Sequence, residues 1–408
     1  MMGEGMLLSI TRWRQSASVE CYFTYALLAF ILTFLALPSS KAVNNFYYAF
    51  MGLPALWMFI RGRWQAVSIS PLLVLWAAFL LWTLLAIVQV QTLQYLKHWL
   101  YVTIFCALIL LLVDYRFFRR GQIIHGLFYA VLAYLALSTV YLWLTGVYTL
   151  GERIHMPMRL TSPTYASIVL VAFFSLTIGI LIKRQSWWLL GLSTASVLFF
   201  TGYILQSRAG VLGAAIVMTL ASVYFLWNAR QWGARLILIL AGLGLAIGMY
   251  YLFETVPEFD RLIERADAGR FELWQAHYQA FIECHTLLGC APVHFEGITT
   301  FGGRLLVEHP HNVLFSVLLY HGWIGLILFL AILVLSFLAS WRQHNPWGLF
   351  LLVSLFMLMF EGGGLINHPN ELWLLVLLPC ILILTEELRA SEARGGLCGT
   401  PPSANSAV

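Results

Sequence analysis

The amino-acid sequence predicts an all-α, polytopic integral membrane protein with about 12 transmembrane helices and one large outer loop that contains short helices. Three observations lead there. The chain is 61% hydrophobic and only 10% charged, whereas soluble domains carry about 25% charged residues. Apolar runs long enough to cross a bilayer recur along most of its length. One connection, residues 254–310, is far longer than the other outer connections and is rich in Phe, Trp, His and Leu.

A span needs about 20 predominantly apolar residues. Such runs lie near 20–38, 44–60, 71–90, 98–113, 122–145, 164–182, 187–206, 209–227, 236–253, 322–340, 346–360 and 371–385. The run 44–60 contains Pro54, and 346–360 is short. Arg12 and Arg14 precede the first run, which is too long for a secretory leader and has no clear small-residue cleavage site, so it reads as a span. Residues 1–253 then hold spans one to nine, 254–321 the large loop, 322–386 the last three spans and 387–408 a cytoplasmic tail. The tail after Arg394 is rich in Gly, Pro and Ser and reads as disordered. Inside the loop, 258–266 and 270–284 have helical spacing. In the second, Phe271, Leu273, Trp274, Tyr278, Phe281 and Ile282 make one apolar face, as expected of a helix lying on the membrane or over the bundle as a lid.

Alternating the spans from a cytoplasmic N-terminus places 14 Lys and Arg residues on the cytoplasmic side and nine on the other. Every cytoplasmic connection receives at least one, as the positive-inside rule requires, and both termini fall inside. There is no long basic tract, so nucleic acid is not an expected partner. A solute transporter or lipid flippase predicts ionisable groups near mid-membrane. Here Asp114, Glu361 and Glu371 sit at span ends or in loops, and Glu20 is near the cytoplasmic end of the first span. No internal repeat is evident.

The nine outer basic residues carry the functional signal, because short outer loops are normally depleted of them. Seven are Arg, and six of these fall in 151–163 and 254–310. Arg is favoured over Lys where a planar fork of donors must grip phosphate. Arg208 lies between two nearly contiguous spans, where a guanidinium is costly without an anion. Arg270 opens the second loop helix, and with Arg208 it could clamp a pyrophosphate. Arg153 and Arg159, with His155, form a further basic cluster, and Arg265 belongs to the loop. Each of these also admits ordinary ion pairing with the acidic residues that share the loop, such as Glu264 and Glu272.

The polar knot Glu308-His309-Pro310-His311-Asn312 runs directly into an apolar segment. A neutral His at a span mouth can take a proton from a hydroxyl, since its unperturbed pKa of about 6.5 is close to working pH. His311 is that candidate. His309, Glu308 and His321 are possible orienting partners or plain solvated neighbours. A zinc site from His309, His311 and Glu308 is not expected, because an extended segment turns Glu308 away from both rings. Cys284 and Cys290 share the outer loop, where a disulfide is open to them. An Arg-lined outer site, a His base and a loop lid together suit a lipid whose diphosphate head sits at the outer leaflet, and hence glycosyl transfer from a polyprenyl diphosphate.

At His311-Asn312, nine intervening residues and then Gly322-Trp323-Ile324-Gly325, the chain resembles the O-antigen ligases, within a wider superfamily that includes O-antigen polymerases and related oligosaccharyltransferases. Ser207-Arg208-Ala209-Gly210 resembles that family's motif at the start of its eighth span. Gly269-Arg270 with Leu273-Trp274 resembles its Arg-bearing loop motif. The resemblance implies an inverting glycosyltransferase of the bacterial inner membrane that needs no metal or other cofactor, with its active site facing the periplasm. It implies His311 as general base and Arg208 and Arg270 as diphosphate ligands. The implied partners are undecaprenyl-diphosphate-linked O-antigen, lipid A–core and membrane lipids. One departure is Cys284-His285-Thr286 before Leu287-Leu288-Gly289, where the family more often has Pro shortly before the Leu-Gly. An O-antigen or exopolysaccharide polymerase and a protein O-oligosaccharyltransferase are the neighbouring alternatives.

Overall fold

The computed structural model describes residues 3–62, 69–88, 93–228, 269–284, 286–290, 298–300, 305–307 and 309–395. The expected span 236–253, the expected loop helix 258–266 and Arg265 lie outside them. Among the described residues, eight helices are long and apolar enough to cross a membrane. The described residues are almost entirely helical, and the chain reads as a multi-pass membrane protein.

The helices follow in order as α1 (Gly3–Ala36), α2 (Ser40–Tyr47), α3 (Leu53–Ile60), α4 (Pro71–Val88), α5 (Leu93–Leu112), α6 (Gly121–Leu144), α7 (Pro163–Lys183), α8 (Trp187–Leu198), α9 (Arg208–Asn228), α10 (Arg270–Glu283), α11 (Val313–Gln343), α12 (Trp347–Leu358) and α13 (Leu378–Gly395). Pro54 does not end the second run. A π-helical turn at Tyr48–Gly52 joins α2 to α3, and its wider ring accommodates a proline that cannot donate to the helical ladder. The same device precedes α13, where a π-helical turn at Trp373–Leu377 leads into Pro379.

The helices present Leu81, Leu85, Leu137, Leu144, Ile327 and Trp341 outward, which is tolerable only against lipid. Among the eight spanning helices, α7 is the most buried, with 78% of its apolar window inside against 39% or less in the other seven; outside that set, the stretch from Trp373 through the first turns of α13 is buried as completely. α7 packs on α6, α8, α9 and α12, while α4 packs along α11 and α5 along α13.

Charge collects at the two ends of the bundle. At one end Arg119 pairs with Glu386, which also accepts from Asn345 Nδ2 at 2.6 Å, and Arg389 pairs with Glu20 at 3.1 Å. At the other, Arg159 pairs with Glu371 and His311 with Glu361. α11 and α12 run from one end to the other.

Two findings depart from the sequence reading. A short antiparallel ribbon, β1 (Ile298–Thr300) with β2 (Leu305–Val307), pairs Ile298 with Val307. Its β-branched residues favour strand, so the large loop holds a ribbon, which the sequence reading did not foresee, as well as a helix. The helix expected to begin near 322 instead begins at Val313, capped by Asn312, and is broken at Gly322 (φ 69°, ψ −172°). The loop after α10 fills the break. Cys290 N–H donates to Leu319 O at 2.7 Å, Trp323 N–H donates to Thr286 O at 3.0 Å, and Trp82 Nε1–H donates to His321 O at 3.0 Å. A Cβ on Gly322 would strike the backbone of Leu287.

Gly322→Ala therefore adds backbone strain and a collision, together worth at least about 2 kcal/mol. The expected result is a thermal unfolding midpoint lowered by several degrees in detergent. An unchanged midpoint contradicts the assignment of the break to Gly322.

Candidate functional site

Arg208, Arg270 and His311 each stand at the N-terminal edge of a helix, and a residue with left-handed backbone aims each edge. Gln206 (φ 44°) precedes α9, Gly269 (φ 71°) precedes α10, and His311 itself (φ 50°) precedes α11. Helix N-termini are electropositive and leave amide donors unused. Nearby anionic groups gain from both the side chains and these helix ends.

Local sequence explains each edge. Ser207 Oγ accepts from Gly210 N–H at 3.2 Å and so caps α9. Gly210 lets α9 approach α7, since a Cβ there would lie 2.6 Å from Ser167 Cβ. Arg153 Nε donates to Leu205 O at 3.1 Å, and Gln206 Nε2 donates to Gly151 O at 2.8 Å, which tie the 151–160 loop to the α9 entry. Asn312 Oδ1 accepts from Phe315 N–H at 3.0 Å and caps α11.

Arg208 and Arg270 line one cavity of about 250 Å³, with Phe271, Trp274 and Phe360 among its walls. Arg270 Nη2 donates to Phe360 O at 2.8 Å, and its guanidinium lies 5.7 Å over the Phe360 ring. The same walls reach the histidine segment. Trp274 Nε1 donates to Pro310 O at 2.8 Å, and Glu361, next to Phe360, meets His311 Nδ1 at 2.9 Å. Trp274 also lines an adjoining apolar hollow of about 500 Å³, shared with Leu314, Phe315, Leu318, Leu326 and Met359.

With Glu361 as an anionic acceptor, Nδ1 of a neutral His311 carries the hydrogen and Nε2 is left with its lone pair. The His309 ring centroid lies 4.3 Å from that of His311. Burial, and then the neighbouring His311, push the His309 pKa down from 6.5 to about 4. His277 on α10 is also lowered by burial, and its Nδ1 meets Leu273 O at 2.8 Å. Donor atoms of His309, His311 and Glu361 lie within 4.8 Å of one another, close enough to hold a cation. Of the zinc trio weighed from sequence, Glu308 lies outside the described residues; the carboxylate beside the two rings among the described residues is Glu361. Arg159 does not join the cavity. It makes a two-pronged pair with Glu371, at 2.6 and 2.9 Å.

Against known proteins, no family model matches the chain. It is similar to an O-antigen ligase of Pseudomonas aeruginosa. The two are 30% identical over 172 residues, which is 41% of this chain and 41% of that ligase. The chain thus spans about two-fifths of the length of that curated relative.

Sequence reasoning about the site missed Glu361, noted only as an acidic residue outside the membrane interior. It also missed Trp274 and Phe360 as walls joining the Arg cavity to His311. The aromatic pattern of α10 placed Trp274 on an apolar face but gave no sign of its bond to Pro310.

His309 and His277 are held neutral by burial, which fixes the sign of a pH effect. The unfolded chain takes up protons as pH falls below about 6.5, while folded His309 resists until about 4. Stability from this source is present above 6.5 and is lost between these values. Thermal midpoints at pH 7 and pH 5 are expected to show a drop that shrinks in His309→Gln. An equal drop in the variant contradicts the buried neutral state.

Proposed function

We propose that this chain is a metal-independent, inverting membrane glycosyltransferase that transfers O-antigen polysaccharide from undecaprenyl diphosphate to a sugar hydroxyl of lipid A–core. What carries the reading is one cavity bearing Arg208 and Arg270 whose walls adjoin the His311–Glu361 pair, Trp274 through its bond to Pro310 O and Phe360 as the chain neighbour of Glu361. The partial similarity to the Pseudomonas aeruginosa ligase supports the same class of reaction. In this reading the twelve spans lie in the bacterial inner membrane with both termini cytoplasmic, and the site opens to the periplasm.

The acceptor hydroxyl oxygen attacks the anomeric carbon, and the bond from that carbon to the diphosphate oxygen breaks. Nε2 of His311 takes the hydroxyl proton, and Glu361 stabilises the resulting imidazolium. The departing diphosphate gains negative charge between Arg208, Arg270 and the two helix N-termini, where fixed positive groups stabilise charge development most. Attack from the face opposite the leaving group inverts the anomeric centre. The apolar hollow beside Trp274 suits the isoprenoid chain of the donor.

Purified full-length protein is expected to move glycan from polyprenyl diphosphate to lipid A–core, with the rate unchanged by chelator. Transfer only to a second polyprenyl-linked glycan would make the chain a polymerase instead. Loss of activity on chelation, restored by added zinc, would recast His309, His311 and Glu361 as a metal centre.

Arg208→Lys keeps the charge but loses the planar fork. A drop in transfer on the order of 10-fold or more is expected, since one charge-assisted contact contributes roughly 1.5–3 kcal/mol. Wild-type transfer rates in this variant would remove Arg208 from the diphosphate site.

A further inference from the structure

The loop that follows α10 is closed by a disulfide between Cys284 and Cys290 and is seated in the break of α11. Cys290 N–H and Thr286 O bond the backbone on either side of Gly322. Gly289 (φ 83°) lies so close that a Cβ there would sit 2.6 Å from Gly322 N. Phe281, at the last turn of α10, packs with Cys290, Leu318, Leu319 and Tyr320 in a small core of their own. α10 is thus a 14-residue rod, about 21 Å long, fixed at both ends. Its far end is held by Arg270 to Phe360 O and Trp274 to Pro310 O. Between these ends it buries Leu273, His277 and Phe281, while Phe271, Tyr278 and Ile282 are exposed.

We propose that the Cys284–Cys290 disulfide is the positioning strut of the diphosphate site: it locks the loop into the α11 break, and the rod carries that fixed register to Arg270. The proposal rests on the reading of Arg270 as a diphosphate ligand. A closed loop has fewer conformations to lose when it seats in the break. Opening it lets the seated form compete with many others, and the far end of the rod then samples positions in which the guanidinium no longer faces Arg208. A dithiol opens the loop by exchange. Its two thiols become a disulfide, two electrons pass to the Cys284–Cys290 bond, and each cysteine sulfur takes one proton. Cys284 and Cys290 touch no substrate and act only through Arg270.

The test measures binding of undecaprenyl diphosphate to the purified full-length protein in lipid nanodiscs, before and after treatment with a dithiol. Thiol counting confirms that the bond has opened. Affinity is expected to fall on the order of 10-fold on reduction and to recover on reoxidation, since short-loop disulfides contribute a few kcal/mol at most to the closed form. The double variant Cys284→Ser, Cys290→Ser is expected to bind as the reduced protein does and to ignore dithiol. In an Arg270→Ala background, reduction is expected to cause no further loss. Because the dithiol acts on chains that are already folded, misfolding of the variant leaves the test intact. Unchanged affinity after full reduction overturns the strut, and so does an equal fall in Arg270→Ala, which would mark the disulfide as a general stabiliser. Absence of binding by the oxidised wild type overturns the diphosphate reading itself, and is told apart because it appears before any reduction.

Discussion

In a bilayer, a backbone carbonyl without a partner costs several kcal/mol, and the span Val313–Gln343 exposes such groups where Gly322 breaks its ladder. Much of the architecture at that end of the bundle follows from satisfying them. Trp82 reaches across from α4 to His321 O, and the loop after α10 supplies Cys290 N–H and Thr286 O. That docking fixes one end of α10. The other end then lies where Arg270 and Trp274 meet Phe360 and Pro310. A backbone constraint within one span therefore sets the position of side chains at the mouth of the bundle.

The same logic governs the charges. In a chain this apolar, each ionisable group near the membrane needs a partner or a use. Arg159 is satisfied by Glu371, and Arg119 by Glu386. Arg270 donates to Phe360 O, and it lines one cavity with Arg208 beside two helix N-termini. His311 has Glu361 on one ring nitrogen, which orients the ring.

Much of this was legible in the sequence, for a physical reason in each case. Apolar run length reports spans directly, because lipid imposes a minimum length. Gly210, Gly269 and Gly322 stand where a side chain would collide or the backbone turns left-handed, so the motifs around Arg208, Arg270 and His311 are local and readable. Glu361 was not legible as a site residue. It is 50 residues from His311, and only the packing of α11 against α12 brings them together. The start of α11 was also obscured. Its apolar first turns end at Tyr320 and His321, which are buried against protein rather than lipid, directly before Gly322, and this interruption placed the boundary at the glycine. The ribbon was hidden because two three-residue strands leave almost no periodic signal.

The proposed transfer depends on the bond between His311 Nδ1 and Glu361 Oε1. The direct measurement is steady-state transfer by Glu361→Gln, with donor concentration varied. The amide keeps the shape but loses the charge that stabilises an imidazolium. The expected result is a fall in kcat on the order of 100-fold, within the range contributed by a positioned base, with the KM for donor little changed. A wild-type kcat, or a defect confined to KM, would contradict it.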